Sequence, residues 1–168
     1  RQDIAKPECR AALLRAMMSS ADNYLMDRPL AAACVDDVEK HCSAITPGQG
    51  RVHECLREKE DELSPACKKA EIELEAVEVE DIRLKPRLME ACQLSATKLC
   101  ANIKPGNGNL LECLQAKATE DGMDAKCAKA LRGQSIRENK HLAFNLRVKQ
   151  ACKTEVPKLC QVQADDAS

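Results

Sequence analysis

Eleven cysteines in 168 residues are the side chains with the clearest chemical potential in this sequence. Thiols form disulfides in an oxidising compartment or, as thiolates, bind soft metals such as zinc. Their spacing is regular, because Cys34 to Cys55 and Cys92 to Cys113 both read C-x7-C-x4-P-G-x-G-x4-C. A further copy begins at Cys152 and Cys160. The sequence therefore predicts one structural unit repeated along the chain.

A zinc site is one way to use these thiols. The first copy offers a Cys2His2 set of acceptable type, made of His41, Cys42, His53 and Cys55. The second copy keeps the cysteines but has Leu99 and Leu111 at the two histidine positions. A structural zinc site would not keep half its ligands in the next copy. We therefore expect no metal and no cofactor.

Disulfides are the preferred interpretation. A disulfide needs two Cα atoms within about 7 Å, so cysteines placed symmetrically about a turn between helices are good partners. Each of the two Pro-Gly-x-Gly turns is flanked by one pair of cysteines. Three further pairs of cysteines, each 25 residues apart, are centred on other predicted turns. We predict Cys9–Cys34, Cys42–Cys55, Cys67–Cys92, Cys100–Cys113 and Cys127–Cys152, with Cys160 unpaired within this chain. The alternative closes each copy on itself through Cys34–Cys67 and Cys92–Cys127.

Helices must position these cysteines. Apolar residues recur at helical spacing, and Pro, Gly, Ser and Asp mark the ends of the segments. The pattern predicts helices over residues 7–20, 23–45, 51–59, 65–79, 81–103, around 110–114, 123–138 and 141–160. The predicted fold class is all-α, an extended array of disulfide-braced helical hairpins with repeats of about 58–60 residues.

The repeat also predicts the domain organisation. Residues 23–80 and 81–140 are each one cysteine-rich repeat. Residues 1–22 form the C-terminal part of a preceding repeat, residues 141–160 start a further one, and residues 161–168 are a disordered tail. Because the chain opens and closes within this pattern, we interpret it as part of a longer secreted or lumenal precursor.

Charge is uneven along the chain although the net charge is only −1, which gives no general case for nucleic-acid binding. The acidic stretch from Glu58 to Asp81 is expected to form solvated helix faces. A basic stretch is a candidate surface for anionic partners such as sulfated glycans, and its residues are Lys126, Lys129, Arg132, Arg137, Lys140, Arg147 and Lys149. The sequence has no apolar run long enough to predict a membrane span.

No catalytic arrangement is apparent. The three histidines, His41, His53 and His141, do not fall in any recurring pattern with a nucleophile and a carboxylate. Adjacent carboxylates such as Asp36-Asp37 diverge on a helix and cannot act on one substrate. We therefore expect that this segment is not an enzyme and assign no catalytic residue.

The repeat motif resembles a known family. The frame with Pro47-Gly48-Gln49-Gly50, the Cys55-Leu56 pair and the segment from Asp81 to Leu84 is similar to the repeats of the Golgi apparatus cysteine-rich protein family. Members are also described as E-selectin ligand or cysteine-rich fibroblast-growth-factor receptor. The resemblance implies a membrane-associated glycoprotein of the Golgi or secretory pathway, with many lumenal repeats that bind growth factors and selectins.

Two functions follow as hypotheses. The first is a protein-interaction or scaffold module of the secretory lumen or extracellular space, with growth-factor-like proteins and sulfated glycans as partners. The alternative is a structural linker subunit of a large extracytoplasmic or organelle-lumenal assembly next to a membrane complex. Both require an oxidising compartment.

Overall fold

The computed structural model describes residues 6–155 and Lys158, and every regular element within them is helical. The α-helices are α1 (Pro7–Asp22), α2 (Arg28–His41), α3 (Arg51–Glu58), α4 (Pro65–Glu78), α5 (Pro86–Leu99), α6 (Asn109–Ala116), α7 (Ala125–Lys140) and α8 (Leu146–Ala151). Short 3-10 turns lie at Tyr24–Met26, Glu60–Glu62, Ile82–Leu84 and Leu142–Phe144. The predicted all-α fold class is confirmed. The predicted tail and Cys160 lie outside the described residues.

The long helices begin later than the sequence pattern predicted. A 3-10 turn precedes each of α2, α5 and α8, and a second cap follows that turn. At α2 this cap is Asp27, whose carboxylate accepts a hydrogen bond from the Leu30 amide at 3.1 Å. Proline is tolerated in the first turn of a helix, where its missing N–H has no partner to lose, so Pro29 and Pro86 mark these starts.

Each repeat is a hairpin of two long helices with a short helix between them. We call residues 23–80 the first unit and residues 81–140 the second unit. In the first unit α2 and α4 run antiparallel, since Cys34 bonds to Cys67 and the Asp37 carboxylate accepts hydrogen bonds from the Ser64 amide and hydroxyl.

The second unit repeats this arrangement in α5 and α7. Cys92 bonds to Cys127, and the Asp124 amide donates to the Ser95 hydroxyl at 2.9 Å. The acid and the serine have exchanged helices relative to the first unit. The hydrogen bond that closes the hairpin is nevertheless retained.

Cysteines and aliphatic residues form the core of each unit. In the first unit the buried cluster is Leu30, Cys34, Cys42, Val52, Leu56 and Cys67. The second cluster is larger and includes Ile82, Leu88, Cys92, Leu110, Leu114 and Leu131. Four disulfides compensate for the near absence of aromatic side chains, since each cross-link limits the unfolded chain and adds on the order of 3 kcal/mol.

Five disulfides were predicted, and the structure corrects three of them. Cys42–Cys55 and Cys100–Cys113 are confirmed, with Cα atoms 6.1 and 6.2 Å apart. The predictions Cys9–Cys34, Cys67–Cys92 and Cys127–Cys152 are wrong. The bonds formed instead are the alternative pairs Cys34–Cys67 and Cys92–Cys127, and Cys9 and Cys152 are free.

The constant separation of 25 residues between Cys9 and Cys34, Cys67 and Cys92, and Cys127 and Cys152 does not mark bonded cysteines. The 3-10 turn Ile82–Leu84 and the second cap at Lys85 divide the segment between Cys67 and Cys92, so it does not fold as one hairpin about residue 80. The true pairs have separations of 33 and 35 residues. The two extra residues lie in the loop before α7, where an insertion leaves the helices unchanged.

Among the described residues, no helix combines the length and the apolar character needed to cross a membrane.

Candidate functional site

The Pro-Gly-x-Gly turn forms the joint between successive units. Its backbone requires glycine, because Gly48, Gln49 and Gly50 have φ values of 109°, 56° and 69°. The Gly50 amide donates to the carbonyl of Asp22 at 2.8 Å, at the end of α1. A side chain at Gly50 would also come within 3.1 Å of Pro86 Cγ at the start of α5. The turn therefore touches both the preceding and the following unit.

The second turn repeats this joint. The Gly108 amide donates to the carbonyl of Glu80 at 2.7 Å, two residues after the end of α4. A Cβ at Gly108 would lie 2.5 Å from Leu146 Cδ1, at the start of α8. Two copies of one joint, built from the same backbone contacts, show that the units stack with a fixed geometry.

Buried charges line the space between the first and second units. His53 of α3 lies with Nδ1 2.7 Å from a Glu71 oxygen and Nε2 3.0 Å from the Ser20 carbonyl. Both ring nitrogens face acceptors, so both must carry protons for the two hydrogen bonds to form. Burial lowers the pKa of His53, but the hydrogen bond and charge of Glu71 outweigh it and raise the pKa. The surroundings of His53 thus favour its protonated form.

Arg57 of α3 links Glu71 to a further carboxylate, Glu78. Its Nε donates to Glu71 at 2.9 Å and its Nη1 donates to Glu78 at 2.8 Å. Burial disfavours the charge, and Glu78 and Glu71 overcome this effect, so the pKa of Arg57 is raised. Burial likewise raises the pKa of Glu71, but Arg57 and His53 bring it below its ordinary value.

Glu75 connects the two units and is fully buried. It accepts from Lys85 Nζ at 2.9 Å and from Arg137 Nε at 2.7 Å, and both of these cations belong to the second unit. Burial raises the pKa of Glu75, but Lys85, Arg57 and Arg137 lower it to about 2.

Glu60 makes a second connection at the edge of the same cluster. It contacts Arg137 at 3.2 Å, Lys140 at 3.1 Å and His141 at 2.9 Å. Burial raises its pKa, and hydrogen bonds from His141 and Lys140 lower it to about 2. We call this set the charged joint, and its members are His53, Arg57, Glu60, Glu71, Glu75, Glu78, Lys85, Arg137, Lys140 and His141.

The charged joint corrects one expectation from the sequence. The acidic stretch from Glu58 to Asp81 was expected to be solvated, yet Glu60, Glu71, Glu75 and Glu78 are buried. The sequence does contain a signal of this burial, because Glu71, Glu75 and Glu78 continue the helical stripe that begins at the buried Cys67. Carboxylates on a core stripe require buried cations as partners.

The next joint along the chain lacks most of these charges and keeps only Glu138, the equivalent of Glu78, among the carboxylates of α4. Equivalent positions are 58 residues apart up to α6 and 60 residues apart in α7. Leu111 therefore replaces His53, Leu131 replaces Glu71, and Ser135 replaces Glu75. Gln115 replaces Arg57 and donates to Glu138 at 2.9 Å. The units thus stack in the same way with different chemistry at each joint.

The seven residues of the predicted basic surface fall into two groups in the structure. Four of its seven residues contact carboxylates of the same chain, since Arg137 and Lys140 bind the charged joint, Arg147 pairs with Glu112, and Lys149 lies 3.9 Å from Glu80. The other three, Lys126, Lys129 and Arg132, are exposed on α7. They lie at a spacing of three residues, which puts them side by side on the helix.

The residues of the zinc set have other partners. Cys42 and Cys55 are oxidised to a disulfide and His53 bonds to Glu71. Among the described residues, no group of three or more His, Cys, Asp or Glu side chains is placed to hold a metal ion.

The comparisons with family models and with known proteins agree with one another. Residues 7–64 and 65–122 each match the model of a family described as a cysteine rich repeat, and the matches begin at the first residues of α1 and α4. Golgi apparatus protein 1 of Homo sapiens is 28% identical over 153 residues, which cover 91% of this chain and 13% of that protein. The Gallus gallus protein of the same name is 27% identical over 154 residues, covering 92% and 13%.

A more distant relative is the Golgi apparatus protein 1 homolog of Caenorhabditis elegans. It is 27% identical over 132 residues, which cover 74% of this chain and 12% of that protein. The chain thus spans about one eighth of the length of the curated relatives described above. No solved structure matches.

Proposed function

This chain belongs to the cysteine-rich repeat family, and from that premise we propose that it is a non-enzymatic binding segment of the secretory pathway. Four disulfides and the similarity to Golgi apparatus proteins fit an oxidising lumen of the Golgi or secretory pathway, or the extracellular space. The relatives described above are named as Golgi apparatus proteins and not as enzymes.

The observation that carries the binding proposal is the exposed basic row on α7. Among the described residues, Lys126, Lys129 and Arg132 form no ion pair, in contrast to the other four residues of the predicted surface. The helix that carries them is fixed to α5 by Cys92–Cys127. A row of three cations on a restrained helix suits a repeating polyanion, because little backbone order remains to be gained on binding.

The row is specific to the second unit. The equivalent positions on α4 are Ala66, Lys69 and Ile72. We therefore propose that the partner contacts α7 and not every unit of the array. The proposed partner is a sulfated glycan chain, whose sulfate groups are recognised by point charges and hydrogen-bond donors.

Binding to immobilised heparin under increasing salt tests this proposal. Lys126→Gln, Lys129→Gln and Arg132→Gln combined should lower the elution salt concentration and reduce the salt dependence of binding. A control with the same change in net charge replaces Arg28, Lys40 and Lys69, which are exposed in the first unit. Equal loss in both variants would reject a specific surface. Binding of an acidic protein but not heparin would reassign the partner.

A structural linker is a second candidate, favoured by the charged joint. Glu75 lies in the first unit and accepts hydrogen bonds from Lys85 and Arg137 of the second unit. These bonds fix the relative position of the two units. A rigid spacer needs such a joint. Constant stoichiometry with one large lumenal assembly, unchanged by the α7 variant, would support this function over glycan binding.

A further inference from the structure

The Pro-Gly-x-Gly turn of the second unit contains a reactive pair of residues, Asn107-Gly108. Of the six asparagines in the chain, only Asn107 precedes a glycine. In such a pair the peptide nitrogen of the glycine can attack the side-chain amide of the asparagine, because the glycine has no side chain to hinder the approach. Asn107 is exposed, so water has access to its side chain. The pair is therefore a candidate site of deamidation.

The turn of the first unit has the same backbone without this reactivity. Gln49 and Asn107 have φ values of 56° and 52°, and each precedes a glycine whose amide donates to a carbonyl at the end of the preceding unit. Glutamine has one more methylene group, so attack on its side chain closes a six-membered ring in place of a five-membered one, which is slower. The two turns are thus a matched pair in which only the second is chemically labile.

A hydrogen bond of the folded chain holds the attacking nitrogen in place. Gly108 is buried, and its amide donates to the Glu80 carbonyl at 2.7 Å. On its other side, the Gly108 carbonyl accepts from the Glu112 amide at 2.9 Å. Attack on Asn107 requires the Gly108 nitrogen to lose its proton and to turn toward the side chain. The bond to Glu80 must therefore break before the reaction starts.

We propose that Asn107 is a deamidation site controlled by the joint between the first and second units. Its side-chain amide reacts only while the Gly108 amide is released from Glu80, a bond that ties the second unit to the end of the first. The rate of the reaction then follows the fraction of time that the joint is open. The isoaspartate product prevents the joint from closing again.

The reaction is a hydrolysis and needs no oxidant or reductant. The Gly108 nitrogen bonds to the side-chain carbon Cγ of Asn107, and the side-chain nitrogen leaves as ammonia with the proton that Gly108 has lost. Water then opens the cyclic imide at one of its two carbonyl groups. Opening at the side-chain carbonyl gives aspartate, and opening at the main-chain carbonyl gives isoaspartate. One water molecule is consumed and one ammonia molecule is released.

Isoaspartate lengthens the turn. The main chain then runs through the former side chain and gains one carbon atom at residue 107. In the intact turn the Gly108 amide donates to Glu80 while the Asn109 amide donates to the Gly106 carbonyl at 3.1 Å. One added atom displaces Gly108 relative to Gly106, so the two bonds no longer fit together. Aspartate leaves the main chain unchanged and adopts a positive φ as readily as asparagine, so only isoaspartate has this effect.

Peptide mapping during incubation at mildly alkaline pH, with disulfides intact and free thiols blocked, tests the site and its control. We expect Asn107 to deamidate at least about tenfold more slowly in the folded chain than in the chain unfolded by guanidinium chloride. Asn107→Gln introduces the residue of the first turn and should abolish the reaction at this position without loss of the fold. Equal rates in the folded and unfolded chains, or no reaction in the unfolded chain, would overturn the proposal.

A variant of the charged joint separates opening of the joint from local motion of the turn. Glu75→Gln weakens the contact of the first unit with Lys85 and Arg137 of the second. It should raise the rate of deamidation in the folded chain about tenfold or more. Glu73→Gln changes an exposed residue of the same helix and should leave the rate unchanged. Equal rates in the two variants would assign the reaction to local motion of the turn, and the proposal would fail.

Hydrogen exchange of the aged chain tests the effect of the product. After exchange and digestion, chromatography separates the peptides that carry isoaspartate from those that carry aspartate. The Gly108 amide should exchange without protection in the isoaspartate form, and it should stay protected in the aspartate form and in an Asn107→Asp variant. Equal protection in all three would show that the product does not hold the joint open, which contradicts the proposal.

Discussion

Neutralising Glu75 should destabilise the chain far more than neutralising its neighbour Glu73. Glu75 is 0% exposed and pairs with Lys85 and Arg137, whereas Glu73 is exposed on the other side of α4. The substitution Glu75→Gln keeps the shape of the side chain. It leaves the buried cations of the charged joint without their shared anion.

The size of the effect follows from the pKa. The surrounding charges lower the pKa of Glu75 from 4.5 to about 2. At about 1.4 kcal/mol per unit, this corresponds to roughly 3 kcal/mol of preference for the charged form in the folded state. Loss of one partner from a buried ion pair costs about 3–5 kcal/mol in general, which agrees. We expect Glu75→Gln to lower the free energy of unfolding by about 3 kcal/mol.

Urea unfolding at pH 6 with the disulfides intact, followed by circular dichroism, measures this difference. Glu73→Gln should change the free energy of unfolding by less than about 0.5 kcal/mol. A double-mutant cycle with Arg137→Gln adds a test across the two units, and its coupling energy should exceed about 1 kcal/mol. If Glu75→Gln costs no more than Glu73→Gln, the charged joint does not hold the units together and the reasoning is refuted.

Two further predictions concern pH and glycine. The raised pKa of His53 contributes stability that is fully present below its unfolded pKa of about 6.5 and is lost as pH rises through the folded pKa. The lowered pKa values of Glu60 and Glu75 contribute stability above about pH 4.5 that is lost as pH falls toward about 2. Stability should therefore have a plateau between about pH 4.5 and 6.5, and His53→Gln should abolish the decline above it in urea titrations. A decline that persists in this variant would assign it to other groups. Gly108→Ala should lower the melting temperature, because Gly108 has a φ of 73° and a Cβ there would meet Leu146. Gly133→Ala, in an open position within α7, should instead stabilise the chain by about 0.5–1 kcal/mol. The glycine argument fails if both substitutions act in the same direction.

Much of the fold was predictable because cysteines, turns and apolar residues recur together. The all-α class, the Pro-Gly-x-Gly turns and the disulfides Cys42–Cys55 and Cys100–Cys113 follow from local spacing, since the bonded cysteines flank one turn. The long-range pairs were harder to predict. They depend on which helices pack side by side, and Cys34 can reach either Cys9 or Cys67 until the breaks at Asp27 and Lys85 are known.

The candidate site was predicted less well for a related reason. Arg137 was predicted to lie on a basic surface. Its partner Glu75 is 62 residues away in the sequence, and the two side chains meet only because the first and second units pack together. A pattern of charges along the chain cannot distinguish an exposed helix face from a buried joint. The row of Lys126, Lys129 and Arg132 remains as the part of the predicted surface that is exposed and unpaired within the described residues.

Each unit is closed by its own two disulfides, and the first unit is joined to the second by packing and charge. Proteolysis of the unreduced chain, with thiols blocked at low pH, followed by mass spectrometry of the linked peptides, tests it most directly. We expect peptides joined through Cys34–Cys67 and Cys92–Cys127, besides Cys42–Cys55 and Cys100–Cys113. Peptides joined through Cys67–Cys92 would show covalent links between units and would contradict it.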